Sequence, residues 1–171
     1  NRAFGSTSDT AGAAYTITGN SGSITVSRVG LPGSQTLTGS FDRLVIAGGA
    51  GNDTFDFSGV SGVSVEVHGG AGNDILTGAN GNDLLIGGSG NDTLYTGTGA
   101  DIIAFNRGDG QDVVVAPSPI DTSGGSGQAG ADNTVSLGGG IKLGDLAFSH
   151  AGNDLILETG GGLKAALPLL G

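Results

Sequence analysis

The sequence predicts an all-β chain, a right-handed parallel β-roll (a β-solenoid) of nonapeptide repeats with β-strand segments before and after it. Three observations carry the prediction. Five nine-residue units recur between residues 48 and 104, and the last four follow one another without insertion. The chain is 36% hydrophobic yet holds 37 glycines, so glycine punctuates apolar segments in register instead of diluting them. No stretch places apolar residues at helical spacing.

Taken in order, residues 1–47 form an N-terminal capping segment. Its short β-branched runs, Tyr15–Thr18, Ile24–Val29 and Leu44–Ile46, are separated by Gly, Ser and Pro and read as strands with turns. Residues 48–112 are the repeat block. The units are GGAGNDTFD at 48–56, GGAGNDILT at 69–77, GANGNDLLI at 78–86, GGSGNDTLY at 87–95 and TGTGADIIA at 96–104. Between the first two, GVSGVSVEV at 59–67 reads as a decayed repeat with Ser64 in the place of Asp. Residues 113–171 form a C-terminal capping segment. It opens with a flexible surface loop over 117–133 and continues with strands at Thr134–Leu137, Ile141–Leu146 and Leu155–Leu157.

The units share the template G-G-x-G-x-D-x-U-x, with U a large apolar residue. Six residues make a turn and three make a strand. Glycine admits the positive φ values such a turn needs and lets carbonyl oxygens face inward. Alternation along the strand sends Phe55, Leu76, Leu85, Leu94 and Ile103 into a dry interior. One repeat cannot bury that face, but a stack can. Two repeats make one coil, so turns two repeats apart share an edge. One edge stacks Asp53, Asp74 and Asp92; the other stacks Asp83 and Asp101.

Stacked strands lie roughly 4.8 Å apart. Carboxylates at that spacing repel by about 1 kcal/mol per pair even in water-like surroundings. A divalent cation between successive turns converts the repulsion into a cross-link. Calcium suits the donors, because it takes six to eight oxygens and mixes carboxylates with carbonyls. Magnesium demands stricter geometry, and zinc or copper would call on His or Cys. The chain has no Cys and only His68 and His150. The candidate metal turns are therefore Gly48, Gly49, Gly51 and Asp53; Gly69, Gly70, Gly72 and Asp74; Gly78, Gly81 and Asp83; Gly87, Gly88, Gly90 and Asp92; Gly97, Gly99 and Asp101. Asp109 and Asp112, in FNRGDGQDVV, close the Asp92 edge as a terminal half-site. About three to five calcium ions are expected, one between each pair of acidic turns.

Charge narrows the partners. Sixteen acidic residues against six basic ones give a net charge of -10, and all the acids but Glu66 and Glu158 are Asp. Nucleic acid and anionic membranes are disfavoured, since phosphate contacts need clustered Lys and Arg. No apolar run reaches the ~20 residues of a transmembrane segment. Other features have plainer readings. His68 and His150 read as solvated side chains, Asp154 as an ordinary turn, and Arg107-Gly108-Asp109 as part of a capping turn. GGGIKLG lacks the strand and helix of a phosphate loop, and no Ser, His and acid are placed as a triad.

The repeats resemble the RTX, or haemolysin-type calcium-binding, family over residues 48–112. All five units carry the Asp. Thr96 replaces the first glycine of its unit, Ala79 the second, and Ala100 occupies a free position; the turn at 96–101 is expected to hold its ion less tightly. NRGDGQD resembles that family's capping turn, and GGGIKLGDLAFSHAGNDLILET its later strand pairs. The resemblance implies a bacterial protein exported by type I secretion machinery. It implies a chain unfolded in the calcium-poor cytosol that folds outside, in the extracellular space or on the cell surface. LKAALPLLG shows no secretion signal, so a larger parent chain is expected.

The leading expectation is a calcium-binding structural scaffold, not an enzyme. An adhesive or ligand-binding module for glycan or a surface is a second class, as is the non-catalytic part of a toxin or hydrolase. Ice binding would need a regular outward row of Thr or Asn, and Thr54, Ile75, Leu84, Thr93 and Ile102 do not supply one.

Overall fold

The computed structural model describes residues 3–4, 12–115, 133–138, 141–151, 154–159 and 164–168. Ahead of the repeats come β1 (Ala3–Phe4), β2 (Ala14–Asn20), β3 (Ser23–Arg28), β4 (Ser34–Thr38) and β5 (Arg43–Ala50). The repeat block supplies β6 (Thr54–Ser61), β7 (Ser64–Ala71), β8 (Ile75–Thr77), β9 (Leu84–Ser89), β10 (Thr93–Tyr95), β11 (Ile102–Phe105) and β12 (Gln111–Val115). Beyond it lie β13 (Thr134–Leu137), β14 (Leu146–Ala151), β15 (Asp154–Thr159) and β16 (Lys164–Pro168).

From β5 to β13 successive strands alternate between two sheets. One sheet runs β1-β5-β7-β9-β11-β13, every pair parallel. The other has a parallel centre, β16-β12-β10-β8-β6-β2, with antiparallel strands at both ends. Alternation between two parallel sheets is the topology of a parallel β-roll. Each short strand has too little apolar surface to stand alone, so its stability comes from the coil on either side.

Register confirms the interior. Phe55, Leu76, Leu94 and Val114 align across one sheet, and Ile46, Val67, Leu85 and Ile103 across the other. All eight are buried. The five U residues therefore sit where alternation places them. The N-terminal strands extend the sheet beyond the repeats, with β2 parallel to β6 and β3 and β4 folding back as hairpins. Tyr15 stacks on Phe55 with ring centroids 5.5 Å apart, which joins this end to the core.

Some local readings are corrected. Ser64 does not stand in the Asp position of the decayed repeat. Glu66 pairs with Leu84 and Val67 with Leu85, which brings Val65 opposite Asp83. The period-two pleat forces this choice, because a one-residue slip would turn Val65 and Val67 out to water. The strand expected over Ile141–Leu146 begins only at Leu146, and Leu143–Asp145 is a 3-10 turn. Local bonds favour the turn: Asp145 N–H donates to the Lys142 carbonyl at 2.8 Å, and Lys142 N–H to Asp145 Oδ2 at 3.0 Å. The hairpin strand β4 was not expected. The loop read over 117–133 lies outside the described residues except for Asn133, as do 163 and 169–171 of the C-terminal stretch.

Candidate metal centre

In the template the sixth and eighth positions share a face of the strand, so the Asp enters the interior with the U residue. Asp53, Asp74, Asp83, Asp92, Asp101 and Asp112 are each at most 3% exposed. Buried carboxylates need partners, and the backbone supplies one apiece. On the first edge Ala13 N–H donates to Asp53 Oδ1 at 2.7 Å and Asp53 N–H to Asp74 Oδ1 at 2.7 Å. Asp74 N–H continues to Asp92 Oδ1 at 2.8 Å, and Asp92 N–H to Asp112 Oδ1 at 2.9 Å. On the second edge Val65 N–H donates to Asp83 Oδ1 at 2.8 Å and Asp83 N–H to Asp101 Oδ1 at 2.9 Å. Asp101 N–H ends that run on Asn133 Oδ1 at 2.9 Å.

The other carboxylate oxygens are different. Oδ2 of Asp74, Asp92 and Asp112 is buried with no hydrogen-bond partner among the described residues. A column of such atoms is costly unless something positive meets it. The glycines show how close the chain comes. A Cβ on Gly69 would overlap Asp74 Oδ2 and the Gly87 carbonyl, and one on Gly87 would overlap Asp92 Oδ2. Gly70 and Gly72, with φ of +116° and +131°, press on the Gly49 and Gly51 carbonyls of the preceding coil. Turn carbonyls and half-used carboxylates thus share one narrow edge.

Electrostatics agree. Burial, reinforced by the Asp92 and Asp53 charges, raises the Asp74 carboxyl to about 6. Burial with Asp101 nearby raises Asp83 to about 6. Burial, together with Asp92 and Asp109, raises Asp112 to about 7. Burial also raises Asp92, Asp101 and Asp109. Without a cation, negative charge on these edges is held against its preference.

Among the described residues no three His, Cys, Asp or Glu side chains gather around one point. A metal here must take most ligands from carbonyls, which fits a hard cation with a large, tolerant oxygen shell and not zinc. The buried, unpartnered Oδ2 atoms fit the same ion.

The two edges are not equivalent. The inward slot of the second edge holds Leu44, Val65, Asp83, Asp101 and Asn133 in successive coils. Asp83 Oδ2 also accepts Ala79 N–H at 2.7 Å. Gly81 does not take the positive φ that Gly51, Gly72, Gly90 and Gly99 share, so the turn at 78–83 differs in shape from the others. Asp112 continues the first ladder, whereas Asp109 turns inward on its own loop and accepts Asn106 N–H at 2.6 Å through Oδ2. The structure therefore brings Asp53, Asp74, Asp92 and Asp112 into one column and Asp83 with Asp101 into another, and leaves Asp109 beside the first.

Residues outside these columns have other partners. Glu66 bridges Arg43 at 3.0 Å and His68 at 2.9 Å. Arg107 of the Arg-Gly-Asp sequence pairs with Asp145 at 2.7 Å. The His150 and Asp154 side chains lie outside the description. Among the described residues no helix is long and apolar enough to cross a membrane. Sequence reasoning passed over Asn52, Asn73, Asn82, Asn91 and Asn133, whose amides bond to neighbouring coils. The signal was visible as the Asn that precedes Asp in four units.

No curated protein matches the chain. The RTX calcium-binding nonapeptide repeat matches in four copies over residues 29–59, 68–103 and 77–114. Glycine turns, buried Asp ladders and alternating parallel strands are what such a repeat requires, and the chain belongs to the RTX calcium-binding repeat family.

Proposed function

We propose that residues 48–112 bind calcium along both edges of the roll and fold on binding it, as the scaffold of a secreted or cell-surface bacterial protein. Residues 1–47 and 113–171 cap the two ends. Asp53, Asp74, Asp92 and Asp112 supply carboxylates on one edge, Asp83 and Asp101 on the other. Carbonyls of the glycine turns at 48–51, 69–72, 87–90 and 96–99 complete the shells. The turn at 78–83 contributes Asp83 and few carbonyls, since Asp83 Oδ2 already accepts Ala79 N–H and the Ala79 carbonyl accepts Thr98 N–H. One ion per interval between acidic turns gives about four, three on the first edge and one on the second.

The observation that carries this reading is the column of buried Oδ2 atoms without partners at Asp74, Asp92 and Asp112. A ligand that binds only the folded state stabilises it by mass action, and coupled sites make the response steep. Such a chain stays unfolded where calcium is scarce and folds after export by type I secretion. The module has no catalytic role in this reading. Circular dichroism of the chain in chelator should show little β structure, with a cooperative β signal at millimolar calcium. A chain fully folded in excess chelator would sink the proposal.

A further inference from the structure

Asn occupies the fifth position of four repeats, as Asn52, Asn73, Asn82 and Asn91, and Ala100 occupies it in the last. These amides are exposed, on the opposite side of the backbone from the buried Asp that follows. Asn52 Oδ1 accepts Asn73 N–H at 2.8 Å, Asn73 Oδ1 accepts Asn91 N–H at 2.8 Å, and Asn91 Oδ1 accepts Gln111 N–H at 3.0 Å. On the second edge Asn82 Oδ1 accepts Ala100 N–H at 3.0 Å. Each amide oxygen takes its proton from the coil that follows, whereas each Asp Oδ1 takes one from the coil that precedes. Adjacent turns are thus clamped in both directions.

The fit is close. A Cβ on Gly72, Gly90 or Gly110 would stand 3.0, 3.1 or 3.2 Å from the amide oxygen of Asn52, Asn73 or Asn91. The distribution follows the carboxylates. Asn52, Asn73, Asn82 and Asn91 each precede a coil carrying Asp74, Asp92, Asp101 or Asp112. Ala100 precedes the coil in which Asn133 takes that slot. A neutral amide is apt, since a carboxylate at the fifth position would add charge to a column that already repels itself.

We propose that Asn52, Asn73, Asn82 and Asn91 are positioning residues for calcium. Each fixes the register of the next turn, so that its Asp and carbonyls converge on an ion the amide does not touch. The assignment rests on the calcium reading above.

The test uses the intact chain, with ions counted by equilibrium dialysis and folding followed by circular dichroism during calcium titration. Asn73→Ala should bind as many ions as the wild type, with its midpoint at about 1.2- to twofold higher calcium, the size of one lost hydrogen bond shared over about four coupled ions. Asn73→Asp keeps the acceptor but adds charge to the column, so its midpoint should fall between those of Asn73→Ala and the wild type. Ala100→Asn should leave the midpoint unchanged, because no acidic turn lies beyond it. If Asn73→Ala does not fold at any calcium level, Asn82→Ala on the shorter edge carries the same comparison. A wild-type midpoint in the alanine variant overturns the assignment alone, and so does the loss of one ion, which would make the amide a ligand. A wild-type chain that binds no calcium overturns the underlying reading as well.

Discussion

Asp53 N–H donates to Asp74 Oδ1 across 21 residues of sequence at 2.7 Å. That bond occupies one oxygen of Asp74 and turns the other, Oδ2, toward a turn where no protein donor meets it. One side chain therefore does two jobs, joining the coils through Oδ1 and presenting charge through Oδ2.

Substitution separates the two jobs. Asp92 lies mid-column, accepting from Asp74 N–H and adjoining Asp112. Asp92→Ala removes charge from two intervals and strands a buried N–H, a loss of about 1–3 kcal/mol before calcium is counted. It should raise the calcium midpoint more than any other single Asp→Ala change. Asp92→Asn retains the acceptor and should fall between the alanine variant and the wild type. Calcium titrations matching the wild type would show that Asp92 is not shared between sites.

Glycine changes should divide by place. Gly87→Ala brings a Cβ onto Asp92 Oδ2 at a residue without positive φ, so its cost is steric. Gly30→Ala meets nothing within 4 Å and bears only the strain of φ +82°, about 1–2 kcal/mol. Urea unfolding in saturating calcium should find Gly87→Ala clearly the worse of the two. Equal losses would mean that the carboxylate does not sit against the turn.

The response to pH should have opposite signs with and without metal. Burial raises Asp74 and Asp83 to about 6 and Asp112 to about 7, above the ordinary value of 3.8. The folded, metal-free chain then holds more protons than the unfolded one between roughly pH 4 and 7. Its stability is fullest below the unfolded value and is lost as pH rises through the folded ones. Calcium needs the ionised form, so apparent affinity should fall as pH drops from 7 to 5. A calcium midpoint that stays constant from pH 5 to 8, read with a calcium electrode and circular dichroism, would contradict the buried column.

Core truncation tests the stack itself. Leu94 is fully buried between Leu76 and Val114, and Leu94→Ala should cost about 2–5 kcal/mol. Thermal unfolding in saturating calcium measures it. A loss within 0.5 kcal/mol, the size of an ordinary surface change, would place the side chain outside the core.

The repeat fold was legible because its signals are local and recur. Glycine, Asp and U at fixed spacing settle turn, strand and facing without long-range information, and Leu76, Leu85 and Leu94 lie where that spacing puts them. The columns of Asp53, Asp74 and Asp92, and of Asp83 and Asp101, follow from the same count. Ser64 was read into the Asp slot that Val65 fills, because a lone degenerate unit carries no internal check on its frame. Asn133 could not be found from spacing, since it lies 32 positions beyond Asp101, outside every repeat. The turn at Leu143–Asp145 depends on side-chain bonds that an apolar pattern does not contain.

The slot that passes from Leu44 and Val65 to Asp83 and Asp101 gives the molecule a polarity. Its early rungs are greasy and carry no charge to neutralise, while its later rungs must wait for ions. In a nearest-neighbour stack, growth starts wherever the first contacts are cheapest. Zippering should therefore begin at the hairpin end and advance toward Asp112, each captured ion preparing the seat for the next.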